Sequence, residues 1–218
     1  TASNNTAVGT TSLLFNTTGA QNTALGMEAL KANTTASNST GLGYQAAFSN
    51  TTGSHITAVG TQALKQNTTG IYNTAVGANA LRDSTTGNNN VAVGLNTMIA
   101  NTTGGQNTAI GSQSLDSATT ASNNTTVGYL SSTAITTGDR NVAVGTEALK
   151  ACVTHAANTA IGYQAMLVNT ANSNTAVGAY ALDANTSGGD LCAIGSNALG
   201  ANTTGANNVA MGVSALAA

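Results

Sequence analysis

The residues of this chain that could do chemistry are few and scattered. "GLGYQA", residues 41–46, satisfies G-x-G-x-x-A, a turn whose glycines let the backbone approach a pyrophosphate at a helix N-terminus. That turn needs a strand before it and a helix after it. The surrounding residues carry no βαβ pattern, so no cofactor is expected. His55 and His155 lie a hundred residues apart in different turns, with no carboxylate pattern and no Ser placed to complete a triad. No catalytic residue is assigned, and the chain is not expected to be an enzyme. Gly188-Gly189-Asp190 fits one step of a calcium-binding β-helix repeat, but such sites need Asp in successive repeats and the other turns lack it. No metal is expected. Cys152 and Cys192 fit no metal or redox spacing and read as structural replacements within a pattern. Asn16, Asn33, Asn50, Asn67, Asn101, Asn185 and Asn202 each begin N-T-T or N-T-S, the acceptor sequence for glycosylation in a secreted chain. Turn chemistry alone would select the same residues.

Composition narrows the classes further. Of 218 residues only 6% are charged and 3% aromatic, with no Pro and no Trp. Val, Ile, Leu and Phe are sparse beside Ala, Thr, Asn and Gly, which argues against an ordinary globular core. Regular placement of the apolar residues argues against disorder. A net charge of −2 offers no basic stripe for phosphates, so no nucleic-acid partner is expected. No apolar run reaches the ~18 to 20 residues that would cross a bilayer, so membrane insertion is not expected.

The chain is organised by a period. Gly recurs at 9, 26, 43, 60, 77, 94, 111, 128, 145, 162, 178, 195 and 212, seventeen residues apart except for sixteen between 162 and 178. Starting each unit at Asn, the consensus reads N-T-A-V-G-x-x-A-L-x-x-N-T-T-G-x-x, and Asn73 to Asn89 is a close copy. The missing residue falls in "NTANSN", 169–174, a shortened turn. A pair of helices needs ~33 residues or more, so seventeen fits one coil of a β-solenoid. The expected fold is all-β: a parallel β-solenoid (β-roll) of about thirteen coils. It is expected to be one repeat domain over 1–218, with a partial unit at 1–4, twelve units over 5–207 and a partial unit at 208–218. Neither end reads as a capping unit, so the chain is expected to belong to a longer fibre or to stack end to end.

Side chains alternate across a strand, so N-T-A-V-G puts positions two and four on one face and positions three and five on the other. Position two is Thr, replaced by Val91, Val142, Cys192 and Val209, and position four is always Val, Ile, Leu or Met. That face is assigned to the coil interior. Positions three and five are Ala and Gly, small enough for another backbone to approach closely. Ala58, Gly60, Ala75, Gly77, Ala92, Gly94, Ala109 and Gly111 are therefore assigned to packing between chains. So thin a coil is expected to need a second copy of itself, since identical chains close with rotational symmetry. N-T-T-G reads as a corner in which Asn and Gly accept positive φ. All twelve charges fall at positions seven, ten, eleven, sixteen and seventeen, off both faces.

The recurring "NTAVG", "NTAIG" and "NTTG" strings resemble the repeats of bacteriophage and marine microbial tail-fibre proteins. More distantly they resemble the left-handed parallel β-roll heads of trimeric autotransporter adhesins, whose repeats are shorter than seventeen residues. The resemblance covers the entire chain. It implies a homotrimeric, elongated shaft that is extracellular, on a cell surface or on a virion, and that binds a surface receptor. The expected function is therefore a structural fibre shaft or adhesin. The alternative is an ice-binding β-solenoid with Thr ladders. Recognition is expected at positions six, seven, ten, eleven, sixteen and seventeen.

Overall fold

A computed structural model describes residues 2–217. They form two compact units divided between Asn107 and Thr108, each a stack of the same coil. The first unit holds β1 (Thr6–Val8), β2 (Thr23–Leu25), β3 (Thr40–Leu42), β4 (Thr57–Val59), β5 (Thr74–Val76) and β6 (Val91–Val93). The second holds β7 (Thr108–Ile110), β8 (Thr125–Val127), β9 (Val142–Val144), β10 (Thr159–Ile161), β11 (Thr175–Val177), β12 (Cys192–Ile194) and β13 (Val209–Met211). Among the described residues there is no helix. Within each unit every strand pairs parallel with the next, repeat position against repeat position: Thr57 opposite Thr74, Ala58 opposite Ala75, Val59 opposite Val76. The expected all-β parallel solenoid with a seventeen-residue coil is what the chain forms. The sixteen-residue coil keeps this register, Thr159 pairing with Thr175, because the missing residue comes out of the corner and not the strand.

Strands of three residues cannot hold a sheet by themselves, and the ladder continues around the coil. Leu30 N donates to Ala46 O at 2.9 Å and Thr34 N to Thr51 O at 3.0 Å, each bond joining one coil to the next. Two tight turns shape the path. Ala29 N donates to Gly26 O at 3.2 Å across Glu28, and Asn33 N to Leu30 O at 3.1 Å. Glu28 has φ 61° and Leu30 φ 49°. Positions seven, nine and seventeen are left-handed in coil after coil, whatever residue stands there, so stacking overrides the local preference against positive φ for side chains such as Leu.

The corner differs from expectation. N-T-T-G carries no positive φ, and its Gly is set by close packing, which other coils meet with Ala36, Ala121 or His155 at the same position. A Cβ on Gly53 would sit 2.3 Å from Gly70 O in the next coil. Gly at position five is needed on both counts: Gly26 has φ 134°, and a Cβ there would lie 2.5 Å from Gly43 O.

The faces of the strand are the reverse of the sequence assignment. Ala58, Ala75, Ala92 and Ala109 are 0% exposed within their own chain, so their methyls fill the coil interior and do not meet a partner. Gly60, Gly77, Gly94 and Gly111 are half-buried beside them. The interior is narrow: opposite each strand, Ala at position eight and Leu at position nine take up the volume, Leu64 and Leu81 being fully buried. Room for only a methyl remains under the strand, and the larger Thr and Val side chains must point outward. One coil shows the same limit in reverse, where Thr126 replaces the small residue while Ser114, Ser131 and Ser132 stand in the layer facing it. Ser114 Oγ and Thr126 Oγ1 lie 2.7 Å apart.

Candidate functional site

Two features are built by the repeat: an Asn lattice inside each unit and an uncharged Thr/aliphatic face outside it. The lattice comes from positions one and twelve. Asn22 Nδ2 donates to Ala36 O at 2.9 Å and its Oδ1 accepts from Ser39 N at 3.0 Å. Asn67 Nδ2 donates to Asn50 Oδ1 at 2.8 Å and to Gly70 O at 3.0 Å. Each amide thus ties its own corner shut and holds the coil beside it, which satisfies polar groups that burial would otherwise penalise.

The lattice accounts for the seven N-T-T and N-T-S Asn by turn chemistry, the alternative the sequence offered to glycosylation. Asn33, Asn50, Asn67, Asn101 and Asn185 are 0% exposed. Their Nδ2 atoms, the ones a sugar would join, already donate inward; Asn185 Nδ2 donates to Asn169 Oδ1 at 2.7 Å and Gly188 O at 2.9 Å. Asn16 and Asn202 are half-buried and held the same way, to Gly19 O at 2.9 Å and Gly205 O at 3.1 Å. The folded corner offers none of these seven nitrogens to an enzyme.

The outward face consists of positions two and four. Ile110, Ile161 and Ile194 are 40, 39 and 36% exposed, and Val59, Val76 and Val93 are half-buried. The Thr hydroxyls stand in the row beside them, and no charged residue interrupts either row. Cys192 belongs to this face and is a free, half-buried thiol, whereas Cys152 is buried, its pKa pushed up to about 11 by burial. The sequence held a signal for this orientation. Position four exchanges Val, Ile, Leu and Met freely, a tolerance that suits a surface better than a tight interior.

Charge gathers at the rim. Glu28 bonds Lys31 at 2.7 Å and accepts from Gln45 Nε2 at 2.8 Å; Glu147 bonds Lys150 and accepts from Gln164 Nε2, both at 2.6 Å. The Gln45 amide and then the Lys31 ammonium lower the Glu28 pKa, and Lys150 followed by Gln164 lowers that of Glu147. The Tyr163 and Tyr180 rings meet edge to face at 5.3 Å. Burial raises the pKa of Asp116 and of Asp183.

The scattered chemical residues are not brought together. Gly41 and Gly43 lie in β3 and just after it, with turns and no helix following. His55 stacks on Tyr72 at 5.0 Å. His155 stands at a corner position usually held by Gly, above the shortened turn, and lines a shallow cleft with Asn172 and Asp190. Among the described residues no group of three His, Cys, Asp or Glu side chains is placed to hold a metal, and no helix is long and apolar enough to cross a membrane. No family model, curated protein or solved structure matches this chain.

Proposed function

We propose that this chain is a structural repeat module of an extracellular, cell-surface or virion fibre, or of an adhesin, that associates with copies of itself. The observation that carries this reading is the outward face, where aliphatic rungs such as Ile110, Ile161 and Ile194 recur, more than a third exposed, with no charge among them. Completing the burial of one half-exposed rung contributes about 1 kcal/mol, and the rungs recur in every coil. A homotrimer covers that face on each chain by rotation alone. Recognition of a surface receptor would fall to the variable outer positions that hold the charges and tyrosines. Sedimentation equilibrium of the purified chain tests the reading: a stable oligomer, trimeric in mass, is expected, and a monomer at micromolar concentration would overturn it.

A second reading has its own observation. Thr57 and Thr74 hold the same register positions on adjacent strands and face outward, which makes a repeating row of hydroxyls and methyls. Such an array could order water as an ice-binding surface. Thermal hysteresis in a solution of monomers would favour it over the fibre.

A further inference from the structure

One four-residue constellation occurs twice on the rim, once in each unit. In the first unit, Glu28 and Lys31 stand at positions seven and ten of one coil, and Tyr44 and Gln45 at positions six and seven of the next. In the second unit, Glu147, Lys150, Tyr163 and Gln164 hold the same places seven coils further along the chain. The bonding repeats atom for atom. Lys Nζ donates to Glu Oε1 at 2.7 Å in the first set and 2.6 Å in the second, and Gln Nε2 donates to Glu Oε2 at 2.8 Å and 2.6 Å. We propose that each constellation binds a neutral saccharide, the Tyr ring meeting the C–H face of a sugar and the Glu, Lys and Gln groups bonding its hydroxyls. This rests on the reading above in which variable outer positions meet a surface receptor, and it names that receptor's chemistry.

Two observations separate these sets from struts that only join coils. The corners after the two Glu coils, residues 33–39 and 152–158, agree only at Thr35 and Thr154, and the lattice residue Asn33 has Cys152 as its counterpart. Rim neighbours differ as well, Met27 from Thr146 and Phe48 from Leu167, while Glu, Lys, Tyr and Gln are the same in both sets. The rings are also open: Tyr44 is 40% and Tyr163 45% exposed, and the fold accepts Thr61 or Ala78 at the same position. The groups themselves select the ligand. Each Glu is neutralised by its Lys, so the set favours no net charge in what it binds. Carboxylate lone pairs and ammonium N–H groups remain beyond the bonds already made, which places acceptors and donors side by side. Adjacent hydroxyls on a sugar ring, each able to give and take a hydrogen bond, match that pairing. The electron-rich face of Tyr receives the C–H groups of the same ring. Desolvation, then Tyr180 and Glu147, raise the Tyr163 pKa, so its phenol stands close to the Glu147 carboxylate. The two sites differ in one wall. Tyr180 adds a second ring at 5.3 Å from Tyr163, whereas Gln62 holds that place in the first set and donates to Gln45 Oε1 at 3.1 Å.

A printed array of neutral and acidic oligosaccharides, probed with the purified full chain, tests the ligand class: neutral members should be retained and acidic ones not. Isothermal titration with the best-retained neutral oligosaccharide should then give two sites per chain. Tyr44→Ala and Tyr163→Ala should each leave one site at full affinity and weaken the other about tenfold, and the two together should weaken both. Tyr163→Phe keeps the ring face and should bind as the natural chain does. Tyr72, an exposed ring outside both sets, serves as the control, and Tyr72→Ala should change nothing. Circular dichroism and sedimentation should be the same throughout. If either Ala variant at 44 or 163 does not fold, the stoichiometry of the natural chain decides. Retention of acidic members alone or of none, a stoichiometry other than two, or full affinity in the folded double variant overturns this inference and leaves self-association standing. A natural chain that binds as a monomer overturns self-association alone.

Discussion

Leu30 closes the space beneath Gly41: a methyl built on Gly41 would lie 3.1 Å from Leu30 Cγ. Gly41 stands where neighbouring coils place Ala58 and Ala75, so the contact shows which way that position points and how little room it has. In other coils Leu64 and Leu81 sit in the layer facing Ala with no loss of order, and Leu30 has only a few tenths of an ångström to yield. Gly41→Ala should therefore stabilise the chain by about 0.5 kcal/mol, through fewer unfolded conformations and better filling. Chemical denaturation would measure it, and a destabilised variant would contradict the inward orientation.

Ala75 and Thr74 are adjacent and face opposite ways. Ala75→Glu places a carboxylate in the Ala/Leu interior and should cost more than about 4 kcal/mol, abolishing the folded coil spectrum. Thr74→Glu should keep the fold and weaken only assembly. Circular dichroism with sedimentation separates the two outcomes; a folded Ala75→Glu monomer would restore the reverse assignment.

The Asn lattice has a gap at Ser84. Asn67 Oδ1 and Ser84 Oγ are buried and without a hydrogen-bond partner, because Ser84 carries no amide to donate to Asn67 as Asn67 Nδ2 donates to Asn50; Asn101 Oδ1 is orphaned in the same way one step on, where Ala118 stands. Ser84→Asn should donate to Asn67 Oδ1 and accept from Asn101 Nδ2, stabilising by about 1 kcal/mol and raising Tm by about 2–4 °C, with Asn101 Oδ1 still unpaired. A calorimetric scan that shows no rise would mean the corner cannot accept the larger amide.

Secretion through a glycosylating cell should leave Asn33, Asn50, Asn67, Asn101 and Asn185 unmodified in the folded product, since their Nδ2 atoms are bonded in the interior. Peptide mass spectrometry reads this directly. Folded protein with sugars at several of these residues would exclude the lattice.

Acid should destabilise the chain only gently. The folded pKa values of Glu28 and Glu147 are lowered, so their contribution is present above the ordinary carboxylate range and lost as pH falls through the folded values. Asp116 and Asp183 have raised values, so protonating them on acidification favours the folded state and offsets that loss. Glu28 and Glu147 are exposed to solvent screening, which keeps the effect small. Melting curves between neutral pH and the acid limb should show Glu147→Gln losing part of the dependence.

The sequence revealed the coil more readily than its inside. Glycines at fixed spacing gave the period, and the shortened "NTANSN" turn showed where a residue could be lost. Alternation in N-T-A-V-G correctly separated two faces, but side-chain size pointed the wrong way, because bulky residues usually fill interiors. Here Leu81 and its equivalents supply the bulk from the opposite wall, and strand residues such as Ala92 must shrink to fit. Asn67 reads as a turn residue because its buried partnership is with Asn50, a whole coil away. Left-handed Leu30 and Leu64 were invisible to local preference, since stacking between coils imposes their φ.

The corner after Asn169 loses a residue while Thr159 and Thr175 stay paired, so the strands do not sense the length of the chain that links them. That corner is a place where the chain can vary in length without renegotiating its interior. Peptides spliced beside Asn172 would be displayed from the solenoid and not woven into it, which gives evolution, or an engineer, a mounting point on an otherwise uniform surface.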